Sequence, residues 1–138
     1  MSLHVLDTDI LSLFQRGNVS VCAAAAQRDP EDLAVTVITV EEQISGWYTL
    51  LRRAKDRGEL AAVYQQLTSN VAFLARVKIL TFTEAAIARF EGLRALKLGV
   101  ASMDLRIAAI AIEHGATLVT RNVGDFLRIP GLTVVSWA

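Results

Sequence analysis

A chain of 138 residues with 14 basic and 14 acidic side chains carries no formal net charge at neutral pH. That argues against strong, sequence-independent binding to long nucleic acid and leaves only a local basic face for such contacts. The length suits one compact domain over 1–138 with no room for a second. Apolar residues make up 53% of the chain, yet a charged residue or Gly interrupts every apolar stretch before it reaches a membrane span, so the surplus is expected at an interface.

The opening MSLHVLDTDI lacks a charged segment followed by an apolar one, so no secretion signal is expected. The lone Cys22 has no partner for a disulfide and reads as a small buried hydrophobe. Both features point to a reduced, cytoplasmic setting.

Short β-like runs alternate with helical ones. HVL (4–6) leads to Asp7 and a helix from Thr8 to about Gln15. A second helical run follows Gly17 and is broken by Asp29-Pro30. LAVTVI (33–38) is β-branched and reads as a buried strand. From Val40 to Lys55 the residues Ile44, Trp47, Leu50, Leu51 and Ala54 keep helical spacing, with Gly58 as the stop. Leu60, Val63, Tyr64, Leu67, Val71 and Leu74 repeat that spacing, which predicts an antiparallel helical pair. VKILTF (77–82) predicts a strand, and Thr83 the cap of a helix reaching about Leu98. A further helix opens at Ser102 or Met103 and ends at His114-Gly115, where Gly suits the C-terminal turn. TLVT (117–120) is a strand, RNVGDF a loop, and LTVVSW (132–137) a last strand. The alternation predicts an α/β fold of three layers, a mainly parallel sheet between helices.

Four carboxylates, Asp7, Glu42, Asp104 and Asp125, each fall just past a strand-like run or at a helix start. On a parallel sheet those positions share the edge where open α/β sheets place their sites. Acids gathered there repel each other unless a cation holds them, which proposes a Mg²⁺ or Mn²⁺ centre acting on phosphate. Each acid also has a plainer explanation. Asp7 suits an N-cap, and Thr39-Val40-Glu41-Glu42 fits a capping box. Asp125 sits in a turn, where aspartates are common. Asp104 is different: it shares a helix face with Ile107, Ala108 and Ala111, so it points inward, away from the Arg106–Glu113 face. Thr8, Thr120 and Asn122 are placed to support the acids, and Asp9 is either a further site acid or a first-turn acid. His4 and His114 read as structural. There is no Ser-His-Asp order, Walker-type loop or Cys-His metal spacing.

LDTDILS (6–12), TVITVEEQISG (36–46), DLRIAAIAIEHGATLVTRNVGDF (104–126) and IPGLTVVSW (129–137) together make the sequence resemble the PIN-domain ribonucleases, specifically the VapC-like toxins of type II toxin–antitoxin pairs. The resemblance implies a PIN-like domain and a Mg²⁺-dependent endoribonuclease, with Asp7 and Asp104 as principal metal ligands. Glu42 and Asp125 would complete the acidic cleft, with Asn122 close to it. Gln43 stands where the family usually has Leu, which leaves Glu41 as the other candidate, while the spacing to Gly46 favours Glu42. The implied partners are RNA, a cognate antitoxin and a second copy of the chain in a homodimer, with the helical pair near 40–76 contributing contacts. Arg52, Arg53 and Arg121 are candidate RNA contacts beside a solvated-face reading of the Arg52–Arg57 run, with Arg106 near them. Trp47 and Tyr48 offer stacking surfaces, although the spacing of Trp47 fits core or interface better.

Two rivals remain. Asp7-Thr8-Asp9 after a strand mimics the nucleophile-x-acid motif of haloacid-dehalogenase phosphatases, with Asp7 attacking phosphorus. That chemistry wants a positioned lysine and paired acids near the end, where Gly124-Asp125-Phe126 offers one. The other rival is a non-catalytic PIN-fold binding protein.

Overall fold

The computed structural model describes residues 2–138. Five strands form one sheet: β1 (His4–Leu6), β2 (Leu33–Thr36), β3 (Lys78–Leu80), β4 (Thr117–Val119) and β5 (Thr133–Val135), in the order β3-β2-β1-β4-β5, every pair parallel. Parallel neighbours need crossovers, and helices supply them. They are α1 (Thr8–Gln15) and α2 (Val19–Ala26) after β1, then α3 (Val37–Arg53) and α4 (Arg57–Leu74) after β2. α5 (Glu84–Ala95) and α6 (Ser102–Glu113) follow β3, and the one-turn α7 (Val123–Phe126) follows β4.

Strand residues alternate between two faces. Val5, Ala34 and Leu118 join a core with Ala86, Phe90 and Leu93 of α5 and the Leu105–Ala111 stretch of α6. Their neighbours Leu6, Val35 and Val119 face the other way, into a core with Ile10, Leu11, Val21 and Leu74. Both faces are therefore covered, which is why these strands read as continuous apolar runs. A slip of one residue would exchange the two cores, so the register is strongly specified.

The chain runs from β1 outward through β2 to β3, then returns to place β4 on the other flank of β1. The change of direction opens a crevice between the C-terminal ends of β1 and β4. Asp7 lies at that crevice; its N–H donates to Val119 O at 3.0 Å and ties it to the end of β4.

Several boundaries differ from expectation. The run at 33–38 is a strand only to Thr36, because the Thr36 hydroxyl accepts the Thr39 N–H at 3.3 Å and starts α3. Val37 and Ile38 are β-branched yet form a first helical turn; the cap and the burial of Ile38 override their propensity. Gly58 does not end α3. The break falls at Ala54, and Asp56 caps α4 by accepting the Glu59 N–H at 2.8 Å. Thr83 caps α5 as expected, but that helix ends at Ala95. RNVGDF is not wholly loop, since Val123–Phe126 forms a helical turn. Gly115 takes φ +59°, the left-handed turn expected after α6. Cys22 is half-buried, with no second cysteine in the chain. No helix among the described residues is long and apolar enough to cross a membrane.

Candidate metal centre

Asp7 ends β1 with extended backbone, and its Oδ1 accepts the Ile10 N–H at 2.8 Å. It is therefore an N-cap, and it is also buried, with 7% of its surface exposed. Capping occupies one oxygen and leaves the other. Burial, with the charges of Asp9 and Asp104 adding to it, pushes the carboxyl from 3.8 up to about 6, against the opposing pull of the Thr120 hydroxyl and the Ile10 amide. A carboxylate held at this cost to its charged form, with no ion pair of its own among the described residues, is suited to receive a cation.

Asp104 stands in the first turn of α6, half-buried, while Ile107, Ala108 and Ala111 on its face are buried. The inward orientation read from the helix face holds. Burial raises its pKa first, then the charges of Glu42 and Asp125. Those electrostatic contributions place all four acids within one field.

The capping-box reading of Glu42 does not hold. Thr36 is the cap, which puts Thr39 inside α3 and Glu42 a turn and a half into it. Thr39 is fully buried, and its hydroxyl lies 3.0 Å from that of Thr8. Thr8 in turn donates to Glu42 Oε1 at 2.6 Å. Helix α3 thus offers Glu42 to α1 across the crevice, and Glu41 points to solvent.

An open cavity of about 620 Å³ is lined by Asp7, Thr8, Asp9, Ser12, Glu42, Asp104, Arg121, Asn122 and Phe126. Thr120 lies fully buried behind it, its hydroxyl accepting the Asn122 N–H at 2.9 Å. Asp125 stands beside the cavity and does not line it. Its carboxylate takes Asn122 Nδ2 at 2.8 Å, with the Arg128 guanidinium 3.8 Å away. Arg121 lines the mouth and pairs with Asp9 at 2.6 Å. Arg52 and Arg53 are exposed at the end of α3 and do not line the cavity. Arg106 lies against the Phe82 and Phe90 rings, away from it. Trp47 is half-buried in a separate groove of about 780 Å³ between α1, α3 and α4, and Tyr48 is exposed.

Sequence reasoning missed Ser12 and Phe126. Ser12 follows Thr8 by one helical turn, a spacing that already placed both on one face. The Asp9–Arg121 pair joins residues 112 positions apart, and no local signal marks it.

Among the described residues, no three His, Cys, Asp or Glu side chains stand close enough to hold an ion as placed. The hydrogen bonds explain this: Glu42 is turned to Thr8, Asp125 to Asn122 and Asp9 to Arg121. Asp7 and Asp104 remain as oxygen donors with no cationic partner among the described residues. Two carboxylates with room for water fit Mg²⁺, which keeps several waters and commonly uses one or two acidic ligands. Among the described residues no lysine lines the cavity, which disfavours the phosphatase rival.

Proteins similar to this chain bear on this geometry. Toxin FitB of Neisseria gonorrhoeae is 30% identical over 128 residues, covering 88% of this chain and 89% of that protein. Ribonuclease VapC2 of Rickettsia felis is 38% identical over 69 residues, 47% of this chain, and the match spans about half of that relative, 52%. Among solved structures, FitAcB from Neisseria gonorrhoeae superposes with a TM-score of 0.72 at 28% identity, covering 96% of each chain. A DNA-bound VapBC from Salmonella typhimurium gives 0.81 over 100% of both chains at 24% identity, a likeness of fold. The PIN domain family model matches residues 4–132, so with this fold and this acidic crevice the chain belongs to the PIN domain family.

Proposed function

We propose that the chain is a metal-dependent endoribonuclease, the toxin of a toxin–antitoxin pair, hydrolysing RNA phosphodiester bonds with Asp7, Glu42, Asp104 and Asp125 as its acidic centre. The observation that carries this reading is the meeting of Asp7, Glu42 and Asp104 in one cavity at the β1–β4 crevice, within Asp125's field. It is supported by relatives named as a ribonuclease and a toxin.

Asp7 and Asp104 would hold the ion, Mg²⁺ or alternatively Mn²⁺. When bound, a divalent cation supplies activation of water and neutralisation of phosphate charge. The chain's own residues do the rest. Ile10 N–H and Thr120 fix the Asp7 carboxylate. Thr8, held against Thr39, turns Glu42 so that one oxygen accepts the hydrogen bond from its hydroxyl and the other is left to accept a proton from water. Water then attacks phosphorus and the ester P–O bond breaks, its electron pair leaving on the ester oxygen, which takes up a proton from solvent, while Asn122 holds Asp125 at the edge of the field. Arg121 offers a phosphate contact at the mouth.

The same reading makes 1–138 a single nuclease domain acting in the cytoplasm. The α3–α4 pair leaves Tyr48, Leu50, Leu60, Tyr64 and Val71 exposed, apolar area suited to a second copy of the chain and to a cognate antitoxin. The decisive experiment is cleavage of RNA by purified chain freed of any partner. Activity with Mg²⁺ or Mn²⁺, arrest by EDTA and loss in Asp104→Asn are expected. Full activity in Asp104→Asn would show the centre to be wrong. Sedimentation measures the dimer, and a small DNA-binding protein encoded alongside tests the toxin assignment.

A further inference from the structure

Four carboxylates line the cavity, Asp7, Asp9, Glu42 and Asp104, and among the described residues one cation does, Arg121. An RNA strand entering meets acids that repel its phosphates, so the placement of that single positive group weighs heavily on binding. Arg121 follows Thr120 at the end of β4, beside β1, and its Nε donates to Asp9 Oδ2 at 2.6 Å. Its Nη1 and Nη2 make no hydrogen bond among the described residues.

Both side chains are about half exposed, 52% and 51%, and so exposed a pair adds little to folding. Nor does Asp9 cap α1, since Asp7 takes the Ile10 amide. What the contact does is orient. A guanidinium tied at Nε keeps its Nη1–Nη2 edge in one direction, and that edge can take two oxygens of one phosphate. Asp7 and Asp104 line the same cavity as this guanidinium, and the charge of Asp7 acts on it as well. We infer that Arg121 grips a phosphate of the bound RNA strand and that Asp9 is the positioning residue presenting it, not a further metal ligand. The inference rests on the ribonuclease reading above.

The test is steady-state cleavage of a labelled RNA by wild type, Arg121→Ala, Arg121→Lys, Asp9→Asn, Asp9→Ala and the double alanine variant, across a salt series and a Mg²⁺ series. Loss of one charge-assisted phosphate contact predicts a KM about tenfold higher in Arg121→Ala, with kcat nearly kept. The salt dependence of log KM falls by about 0.7. Asp9→Asn keeps an acceptor for Nε and leaves KM no higher than wild type. Asp9→Ala frees the guanidinium and raises KM several-fold, but adds nothing once Arg121 is already Ala.

Three results overturn the inference. A KM lowered by Asp9→Ala shows that Asp9 only repels RNA. A higher Mg²⁺ requirement in Asp9→Asn makes Asp9 a ligand. An equal Asp9→Ala penalty with and without Arg121 shows that the two residues do not act through each other. Should an alanine variant fail to fold, Arg121→Lys decides, because lysine keeps the charge and loses the fork: KM rises with an unchanged salt slope, and an unaltered KM sinks the idea. A wild-type chain that cuts no RNA with either metal overturns the ribonuclease reading and this inference with it. Cutting that is indifferent to Arg121 overturns the inference alone.

Discussion

Replacing Asp7 by Asn tests whether the crevice is built at the expense of stability. In the folded chain burial lifts the Asp7 carboxyl from 3.8 to about 6, so the native state holds that proton more tightly than the unfolded chain does. The unfolded chain therefore sheds its proton first as pH rises, and the slope of stability with pH is negative over that window. The loss begins near 3.8 and is complete above about 6. Between those values the residue removes about 3 kcal/mol, at roughly 1.36 kcal/mol for each pH unit. Asn has no charge to bury and can still accept the Ile10 amide as a cap, since Asn and Asp cap about equally well. Urea unfolding of wild type and Asp7→Asn in EDTA, from pH 4.5 to 7.5, should give curves that diverge with pH. The variant should be ahead by up to about 3 kcal/mol at neutrality, or roughly 10 °C in Tm. Added Mg²⁺ should stabilise wild type and not the variant. A variant no more stable than wild type at pH 7, or a gap that does not change with pH, would refute the reasoning.

Asp104→Asn should abolish cleavage while leaving Tm within a few degrees, because the side chain is half-buried and makes no hydrogen bond among the described residues; RNA cleavage and thermal melts together check this. Thr8→Val removes the donor at 2.6 Å from Glu42 and the contact to Thr39, and should lower kcat about tenfold to a hundredfold with KM little changed. The Mg²⁺ concentration giving half-maximal activity should climb as pH falls below about 6, where Asp7 takes up its proton in competition with the ion; a flat dependence in metal titrations at pH 5.5 and 7.5 would count against Asp7 as a ligand. Phe126, 1% exposed and lining the cavity, should cost about 3–5 kcal/mol when cut to Ala, measured by chemical denaturation.

The sequence was a good guide wherever the signal was local. The Thr83 cap, the Gly115 turn and the Asp104 helix face each depend on residues within a turn or two, and each stands as read. It misled where two local signals competed. Thr36 and Thr39 are both able caps, and burial of Ile38 chose the first, which shortened β2 and released Glu42 from any capping role. Asp7 is the N-cap of α1 through one oxygen, and because a carboxylate has two, that contact does not compete with its proposed role in the centre.

The sequence by itself determined the alternation of strands and helices, the acids at their junctions and the inward face of Asp104. Those follow from periodicity and from capping chemistry, which act over a few residues. Only the tertiary structure decided that β4 returns beside β1, and with it which residues share the crevice. It also decided that Glu42 rather than Glu41 faces the cavity, that Asp125 stands at its edge, and that Asp9 meets Arg121. The reason is physical: a carboxylate's role depends on which charges and hydroxyls surround it, and those neighbours come from strands and helices distant in the chain.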